Sequence, residues 1–511
     1  MTNNVQGPLT RVADIGRPGS GDSSSRMSVT AGGMFLYFVL GLLAAAVSYG
    51  LPLAMGSSLT VTAAVFTSVL VPSLMTICLV KVNVKAFAIF WVSLALMQNF
   101  FSGVWAARTA TVIPEYVTEQ KTVSILCACL VSIESLFVFL AKRPRLAAAL
   151  GVYALALILA LGSLESSALA YGRNFTVPVL LILLFAALTE NWDLRERLRL
   201  VTAIAQLVTL LLAAGLGMEV MVGTDTWRSW LRADINGALN SLSDATSIFG
   251  LQLTRYAGFV IEPTNAGYIA ASAIMISVAT WAIGRKKDVS IPNPIFIAVP
   301  AAICLIASGA KSGFLMLFIA TLSAVIFRSV RSIAVGMVLA WVSAFVVVLG
   351  YVAKVKGPST AAEVFANPLA ILGGDSTTFH LAGLVSGIKS TITDPLGAGL
   401  GVGGNFSRVK TESWEVWIGS GSESAWGVLS YQLGLLGLLS FAFLLIVLGR
   451  HLGTVSAALI CAWSSAALFA EAIFGPQVAG ALAISVALLA VPPNSDHSVA
   501  DSRFSLGKST K

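Results

Sequence analysis

The chain reads RYAGFVIEPTNAG at 255–267, then a hydrophobic span, the basic cluster RKK at 285–287, a second span and the turn SGAKSG at 308–313. Apolar spans that alternate with short charged connections are typical of helices that cross a membrane. Charged side chains at the ends of such helices are costly and usually mark a pathway or an active site. This region therefore predicts a membrane protein with functional residues between 255 and 313.

The composition of the whole chain also indicates a membrane protein. Of the 511 residues, 57% are hydrophobic and 11% are charged, and the mean hydropathy of +0.86 excludes a soluble protein. We predict an all-α integral membrane protein with about 14 transmembrane helices, since its apolar stretches can cross roughly 30 Å of hydrocarbon and lack strand-like alternation. The predicted spans are 32–50, 59–80, 86–107, 122–141, 146–163, 174–189, 200–218, 264–284, 292–309, 312–327, 333–353, 426–449, 454–472 and 476–492.

The distribution of Lys and Arg predicts the orientation. Compact basic clusters follow the even-numbered spans, and short cytoplasmic loops are enriched in these residues, so both termini are predicted to be cytoplasmic. This orientation explains the net charge of +8 and gives no reason to expect nucleic-acid binding. Two long loops, 219–258 and 354–425, then lie on the periplasmic side. In the first, Trp227–Leu242 predicts an amphipathic helix on the membrane surface.

Composition divides the chain into five segments. Ser, Gly and Arg at the N-terminus predict a disordered tail, and the unusual polar residues lie in the middle of the chain, which we interpret as a catalytic core. The segments are a cytoplasmic tail at 1–30, transmembrane helices 1–6 at 31–199, a catalytic transmembrane core at 200–450 with the two periplasmic loops, transmembrane helices 13–14 at 451–492, and a cytoplasmic tail at 493–511.

The cysteines and histidines give no sign of a metal centre. All five cysteines lie within apolar spans, and the three histidines are far apart in the sequence. Neither a disulfide framework nor a CxxC pattern is present. We therefore expect no metal site and no cofactor.

The second long loop has two distinct parts. Ser376, preceded by Asp375, predicts the N-cap of a helix that runs to about Ser390. A glycine run at 397–404 follows and predicts irregular backbone, which permits tight turns and close approach to a ligand. A flexible loop without a specific role is the alternative.

Three features of the sequence are similar to one family. The first is Arg-x-x-Gly-Phe followed by Glu-Pro-x-Asn at 255–265, and the second is the turn at 310–313, with Lys311 where an arginine is usual. The third is the long loop, which contains PLGAGLG at 395–401 and GSES at 421–424. Over about residues 200–450 the chain thus resembles the O-antigen ligase and Wzy-type polysaccharide polymerase superfamily of membrane glycosyltransferases.

The resemblance implies an inverting, metal-independent glycosyltransferase in the bacterial inner membrane. It would transfer a glycan from an undecaprenyl-diphosphate donor to a lipid-linked acceptor at the periplasmic face. Lipid-linked oligosaccharide repeat units and membrane lipid are the implied partners, with a chain-length regulator and a flippase as further candidates. Ligases of this family commonly carry a histidine near the loop end, where this chain has Glu423, and this difference favours a polysaccharide polymerase over an O-antigen ligase.

A diphosphate leaving group needs fixed cations near the membrane surface, because its negative charge grows as the sugar departs. Arg255 could bind phosphate oxygens in two-point fashion, and Lys311 could act as a compact charge. Arg408 in the long loop is a third candidate for donor binding. The structural alternatives are an ion pair of Arg255 with Asp244 or Glu262, and a Lys311 side chain that merely reaches towards the membrane surface.

The acceptor hydroxyl must lose a proton, so a carboxylate or imidazole is expected close to it. We rank Glu423 first, with Glu262 and His380 as the other candidate bases. Helix capping would account for either glutamate, and an ordinary surface position would account for the histidine. Asn265 and Asn405 are candidates for orienting sugar hydroxyls.

Two glutamates fall inside predicted spans and raise the possibility of transport. Glu134 and Glu471 could relay protons, as in a secondary transporter or lipid-linked oligosaccharide flippase, but each is single, and a hydrogen-bonded packing role is favoured. No repeat relates 32–250 to 264–492, which a transporter built from two halves would show. A polymerase is therefore the first hypothesis, a ligase the second and a flippase the third, ahead of a non-catalytic scaffold.

Overall fold

A computed structural model gives the fold for residues 61–109, 120–162, 168–230, 245–248, 251–370, 376–405 and 414–490. The predicted first span, both tails and Arg408 lie outside these described residues. The helices are α1 Val61–Val82, α2 Val84–Thr109, α3 Gln120–Val131, α4 Ile133–Ala141, α5 Pro144–Ala160, α6 Ala168–Leu188, α7 Leu194–Val222, α8 Thr224–Trp230, α9 Pro263–Lys286, α10 Ile295–Ser308, α11 Lys311–Ser329, α12 Ile333–Lys356, α13 Pro358–Ala366, α14 Ser376–Thr393, α15 Trp414–Gly419, α16 Ala425–Leu452, α17 Thr454–Ala466 and α18 Pro476–Leu488.

The architecture is that of an α-helical membrane protein. Among the described residues, six helices are long and apolar enough to cross a membrane, or seven if the bent pair α3 and α4 forms one span. The predicted span at 122–141 is not a single straight helix, because the chain bends by 69° between these two helices. Ser132 at the break has φ −104° and ψ 17°, outside the helical range.

The loop at 219–258 contains secondary structure that the sequence did not predict. Strands β1 Ala245–Ile248 and β2 Leu251–Thr254 form an antiparallel hairpin, and four residues each are too few to show alternation. The predicted surface helix Trp227–Leu242 is described only as far as Trp230. Trp227 is 2% exposed and packs on Phe259, so this end of the predicted surface helix is buried in the protein.

Three groups of helices position the polar residues. Helix α9 packs on α7, α10 and α11, while α14 packs on α16, which also contacts α5. Helices α17 and α18 are joined by a connection at 467–475 that contains two 3₁₀ turns, Ala467–Phe469 and Ala472–Phe474. This connection contacts α6, α9, α14 and α16, so the last two helices close one end of the bundle.

The glycine run is hydrogen-bonded to a break in α16. Gly434 has φ 65° and ψ −162°, values that interrupt the helix and suit glycine. The N–H of Leu435 donates to Pro395 O at 2.9 Å, and the Tyr431 carbonyl oxygen accepts the N–H of Ala398 at 2.9 Å. The N–H of Leu435 and the carbonyl oxygen of Tyr431, which the break leaves without partners in the helix, are thus hydrogen-bonded to the loop. The alternative of a flexible loop at 397–404 is wrong, although the predicted irregular backbone is confirmed.

Candidate functional site

The segment that carries Arg255 is fixed against the ends of two helices. Its Nη2 donates to Thr264 Oγ1 at 2.9 Å, and its Nε lies 3.5 Å from the Ser308 carbonyl oxygen. The N–H of Tyr256 donates to Ala307 O at 3.0 Å. The guanidinium group therefore lies between the start of α9 and the end of α10.

A buried carboxylate fixes the backbone that follows Arg255. Glu219, near the end of α7, is 2% exposed, and its Oε2 accepts the N–H groups of Ala257 and Gly258, both at 2.7 Å. Hydrogen bonds to a charged acceptor are stronger than those between neutral groups. Glu219 thus restricts the position of the segment, and the sequence reading did not identify it.

The turn that carries Lys311 packs directly on the first turns of α9. A Cβ on Gly267 would lie 2.9 Å from Ser308 Oγ, and one on Gly313 would lie 2.9 Å from the Gly267 carbonyl oxygen, so only glycine allows this approach. Lys311 is the first residue of α11 and is exposed. The structure therefore brings Lys311 and Arg255 to the same end of α9, as the sequence predicted.

A second arginine influences Arg255. Burial lowers the pKa of Arg255 from its ordinary value, and the nearby charge of Arg228 on α8 lowers it further. A bound anion would oppose both effects, since an opposite charge favours the charged form. The half-buried guanidinium is thus suited to a phosphate group, and Arg228 is an additional cation that the sequence reading did not select.

Glu262 occupies the N-cap position of α9, as predicted, but its side chain makes no capping hydrogen bond. Its Oε2 instead accepts Asn265 Nδ2 at 2.6 Å. Burial raises the pKa of Glu262, and the charge of Glu423 raises it further. The Oδ1 of Asn265 is buried without a hydrogen-bond partner, which is an unusual and costly state for an amide oxygen.

His380 on α14 contacts Glu423 directly. The imidazole Nδ1 lies 2.8 Å from the Glu423 carbonyl oxygen and 3.2 Å from its Oε2. Both of these oxygen atoms are hydrogen-bond acceptors, so the Nδ1 atom of His380 carries a proton and donates it to them. The side chains are 22% and 26% exposed, which leaves both accessible to a ligand. The two residues, predicted separately, therefore form one pair.

The capping interpretation of Glu423 is wrong. Ser424 is the N-cap of α16, and its Oγ accepts the N–H of Gly427 at 3.0 Å. Glu423 has φ +70°, and Ile261, beside Glu262, has φ +71°. Such angles are strained for residues other than glycine and cluster at functional sites. Both candidate glutamates are thus located at strained backbone.

Glu471 joins the same cluster from the connection between α17 and α18. The hydroxyl of Tyr171 donates to Oε1 at 2.5 Å, the N–H of Asn405 lies 3.0 Å from both carboxyl oxygens, and the N–H of Glu423 lies 3.3 Å from Oε2. Burial raises the pKa of Glu471 to about 7, against the lowering effect of the Tyr171 and Asn405 hydrogen bonds. Its predicted place inside a span is wrong, because α17 ends at Ala466.

One end of the Asn405 side chain already makes a hydrogen bond within the protein. Its Oδ1 accepts Trp417 Nε1 at 3.0 Å, so only the amide Nδ2 remains for a sugar hydroxyl. Upstream, the N–H of Gly404 donates to Ser420 Oγ at 2.9 Å. The predicted sugar contact through this residue is therefore limited to its amide nitrogen.

The two glutamates assigned to packing differ in position. Glu471 is hydrogen-bonded as expected, whereas Glu134 is exposed in the first turn of α4, so a packing role for Glu134 is wrong. Among the described residues, no group of three or more His, Cys, Asp or Glu side chains could hold a metal ion.

The sequence contained a signal for the position of Glu471. Gly475-Pro476 follows it closely, and glycine before proline marks the end of one element and the start of another. The hydrophobic residues around Glu471 concealed this break. Arg228 and Glu219 had no comparable signal, because their roles depend on contacts between distant segments.

In comparisons with known proteins, no family model, curated protein or solved structure matches the chain. The assignment of function therefore depends on the residues of the site itself.

Proposed function

We propose that the protein is a polysaccharide repeat-unit polymerase, an inverting and metal-independent glycosyltransferase. It transfers a glycan from an undecaprenyl-diphosphate donor to a lipid-linked acceptor at the periplasmic face of the bacterial inner membrane. One observation carries the proposal: the start of α9 joins two groups of candidate residues. It contacts Arg255 and the turn that carries Lys311. It also holds Glu262, whose pKa is raised by burial and by the charge of Glu423, the partner of His380.

The proposal includes 14 spans with both termini in the cytoplasm. Support comes from ion pairs that join connections predicted to be cytoplasmic: Lys85 with Glu196 at 3.2 Å, and Glu190 with Lys142 and Arg143, each at 2.9 Å. The connections after α1, α4 and α6 therefore share one end of the bundle. The site lies where α9 begins and α10 ends, and these ends are periplasmic in the proposed topology.

Cysteine labelling in intact cells tests this topology. A membrane-impermeant thiol reagent should modify a cysteine placed at Lys354, at the end of α12, and leave one placed at Lys286 unmodified. Both side chains are exposed, so accessibility within the protein does not distinguish them. Modification at Lys286 alone would contradict the orientation and place the site on the wrong side for a periplasmic polymerase.

The cations serve the donor. Arg255 and Lys311 bind the diphosphate, with Arg408 as a further donor-binding candidate in the long loop. As the bond from the anomeric carbon to the diphosphate oxygen breaks, its electron pair leaves with the phosphate, and the two cations stabilise the added charge. Lys311 is exposed and able to move with the donor, whereas Arg255 is held in place by Thr264.

The His380–Glu423 pair serves the acceptor. The acceptor oxygen attacks the anomeric carbon, and its proton passes to the carboxylate of Glu423, which His380 holds in place through its Nδ1. Glu262 contacts the acceptor, and it is the alternative base because its raised pKa increases its basicity. The unpartnered Oδ1 of Asn265 supports a role in accepting a hydrogen bond from a sugar hydroxyl.

Turnover of a lipid-linked repeat unit by the purified protein tests the function. Arg255→Ala and Lys311→Ala should each lower the rate by about a hundredfold or more, which corresponds to the few kcal/mol supplied by fixed charges in a transition state. Lys354→Ala is a matched control, since it removes an exposed lysine at another helix end. Activity should persist in EDTA.

The same variants distinguish the candidate functions in cells. Loss of a polymerase leaves single lipid-linked repeat units on the periplasmic face, whereas loss of a flippase leaves them on the cytoplasmic face. Loss of a ligase leaves lipid-linked polymer. Wild-type polymer length in both alanine variants, with normal protein abundance, would remove the two cations from the mechanism.

A further inference from the structure

The connection between α17 and α18 places one buried carboxyl group behind the proposed catalytic pair. Glu471 is 5% exposed and cannot contact a large substrate without rearrangement. It nevertheless contacts Asn405 at the end of the glycine run, the backbone of Glu423, and Tyr171 on α6. Three segments that are far apart in the sequence therefore meet at this single side chain.

Every hydrogen bond described for the Glu471 carboxyl group comes from a donor. Tyr171 gives an O–H group, and Asn405 and Glu423 give backbone N–H groups. An ionised carboxylate accepts all of them with charge-assisted strength, whereas a protonated one is a weaker acceptor and directs its O–H group to the Tyr171 oxygen, the one partner that can also accept. The geometry thus matches the ionised form of Glu471, although burial favours the neutral form.

Glu423 has a particular need for this support. Its φ of +70° is strained, and such a conformation persists only where the surroundings enforce it. The N–H of Glu423 is held by Glu471, while its carbonyl oxygen is held by His380. The two contacts restrain the residue from both sides and keep its carboxylate next to the imidazole ring.

We propose that Glu471 is a positioning residue: its ionised carboxylate holds the backbone of Glu423 and Asn405, and protonation weakens that hold. This role rests on the function proposed above. It makes the site sensitive to pH through a group that does not touch substrate. As the pH falls, Glu471 gains a proton, the N–H of Glu423 is left with a neutral and therefore weaker acceptor, and the His380–Glu423 pair is held less firmly in position.

Other charged and titratable groups lie around this cluster. They are Tyr171 and Arg173 on α6, His380 on α14, Glu423 before α16, and Glu262 at the start of α9. The charge of Glu423 raises the pKa of both Glu262 and Glu471. Because the two carboxyl groups interact, a variant that replaces Glu471 itself is needed to isolate its effect.

Hydrogen–deuterium exchange of the purified protein tests the contacts without substrate. In Glu471→Gln, the amide nitrogen can donate to the Tyr171 oxygen while the amide oxygen accepts the N–H groups of Asn405 and Glu423, but this acceptor is neutral and the charge-assisted strength is lost. Exchange at the Glu423 amide should become about tenfold faster or more. Glu134→Gln, an exposed glutamate on α4, is the matched control and should leave the exchange unchanged. Unchanged exchange at Glu423 in Glu471→Gln would overturn the proposal.

The pH profile of turnover tests the functional consequence. In the wild type, activity should fall as the pH drops through about 7, and in Glu471→Gln this limb should disappear, with kcat lower by roughly tenfold to a hundredfold and KM little changed. Tyr171→Phe removes a hydrogen bond that lowers the pKa of Glu471, so it should move the limb to higher pH. This second variant decides the question if Glu471→Gln does not fold.

The polymerase function and the positioning role of Glu471 are refuted by different results. If the wild type has no transferase activity, the proposed polymerase function is refuted, while exchange at Glu423 still decides the positioning role. If the wild type is active and Glu471→Gln retains the acidic limb at normal kcat, the positioning role is refuted and the polymerase function stands.

Discussion

Replacement of Gly383 by alanine should separate His380 from Glu423. Gly383 lies on α14, three residues after His380, and a Cβ there would overlap the carbonyl oxygen of Ser422 and lie 3.1 Å from its carbonyl carbon. Both are backbone atoms, so no side-chain rotation can relieve the contact. The turn must move away from α14 by about 1.5 Å to reach an ordinary contact distance.

The effect on stability is a balance of two quantities. Overpacking costs about 1–3 kcal/mol, and alanine regains about 1 kcal/mol over glycine inside a helix. We expect a net loss of about 1 kcal/mol or more in the free energy of unfolding. The effect on turnover should be larger, because a displacement of about 1 Å at reacting groups can reduce a rate on the order of a hundredfold.

Thermal unfolding and turnover of the purified protein provide the measurements. Gly217→Ala on α7 is the control, because no atom lies within 4 Å of the Cβ it would introduce. That variant should be as stable as the wild type or more so, with normal turnover. If Gly383→Ala behaved like Gly217→Ala in both assays, the close packing of α14 on the 420–424 turn would not be required for the His380–Glu423 pair.

Two further predictions concern the carboxyl groups. Burial raises the pKa of Glu471 from an ordinary value of 4.5 to about 7 in the folded protein. Between these two pH values the folded state binds more protons than the unfolded state. The free energy of unfolding should therefore fall by about 3 kcal/mol as the pH rises through this window. Thermal unfolding from pH 4 to 8 should show this slope in the wild type and lose it in Glu471→Gln; a slope of the same size in the variant would refute the assignment. Glu423→Gln should reduce turnover strongly while Glu262→Gln has a smaller effect; the reverse order would make Glu262 the base, and normal turnover in both would leave His380.

Much of the helical pattern could be predicted from the sequence. Twelve of the predicted spans each overlap one described helix, and the span at 122–141 overlaps two, because long apolar stretches are a strong and local signal. The bend at Ser132 and the end of α17 at Ala466 were hidden, since the hydropathy remains high on both sides of each break. The hairpin at 245–254 was too short to give a pattern of its own.

The candidate site was predictable only in part. Glu262 and Asn265 are three residues apart at a helix start, a spacing at which side chains meet, and their contact is local. His380 and Glu423 are 43 residues apart, and their contact depends on how α14 packs against the turn before α16. The sequence showed which groups could do the chemistry, but their pairing required the tertiary structure.

The hydrogen bonds between α16 and the segment 395–399 limit how the site can open. Raising this segment from the helix would expose the N–H of Leu435 and the carbonyl oxygen of Tyr431 without partners, and each unpaired group in an apolar environment costs several kcal/mol. The first part of the long loop is therefore a fixed side of the site. Access for a bulky ligand therefore requires movement of other segments, because the break in α16 keeps this one hydrogen-bonded to the helix.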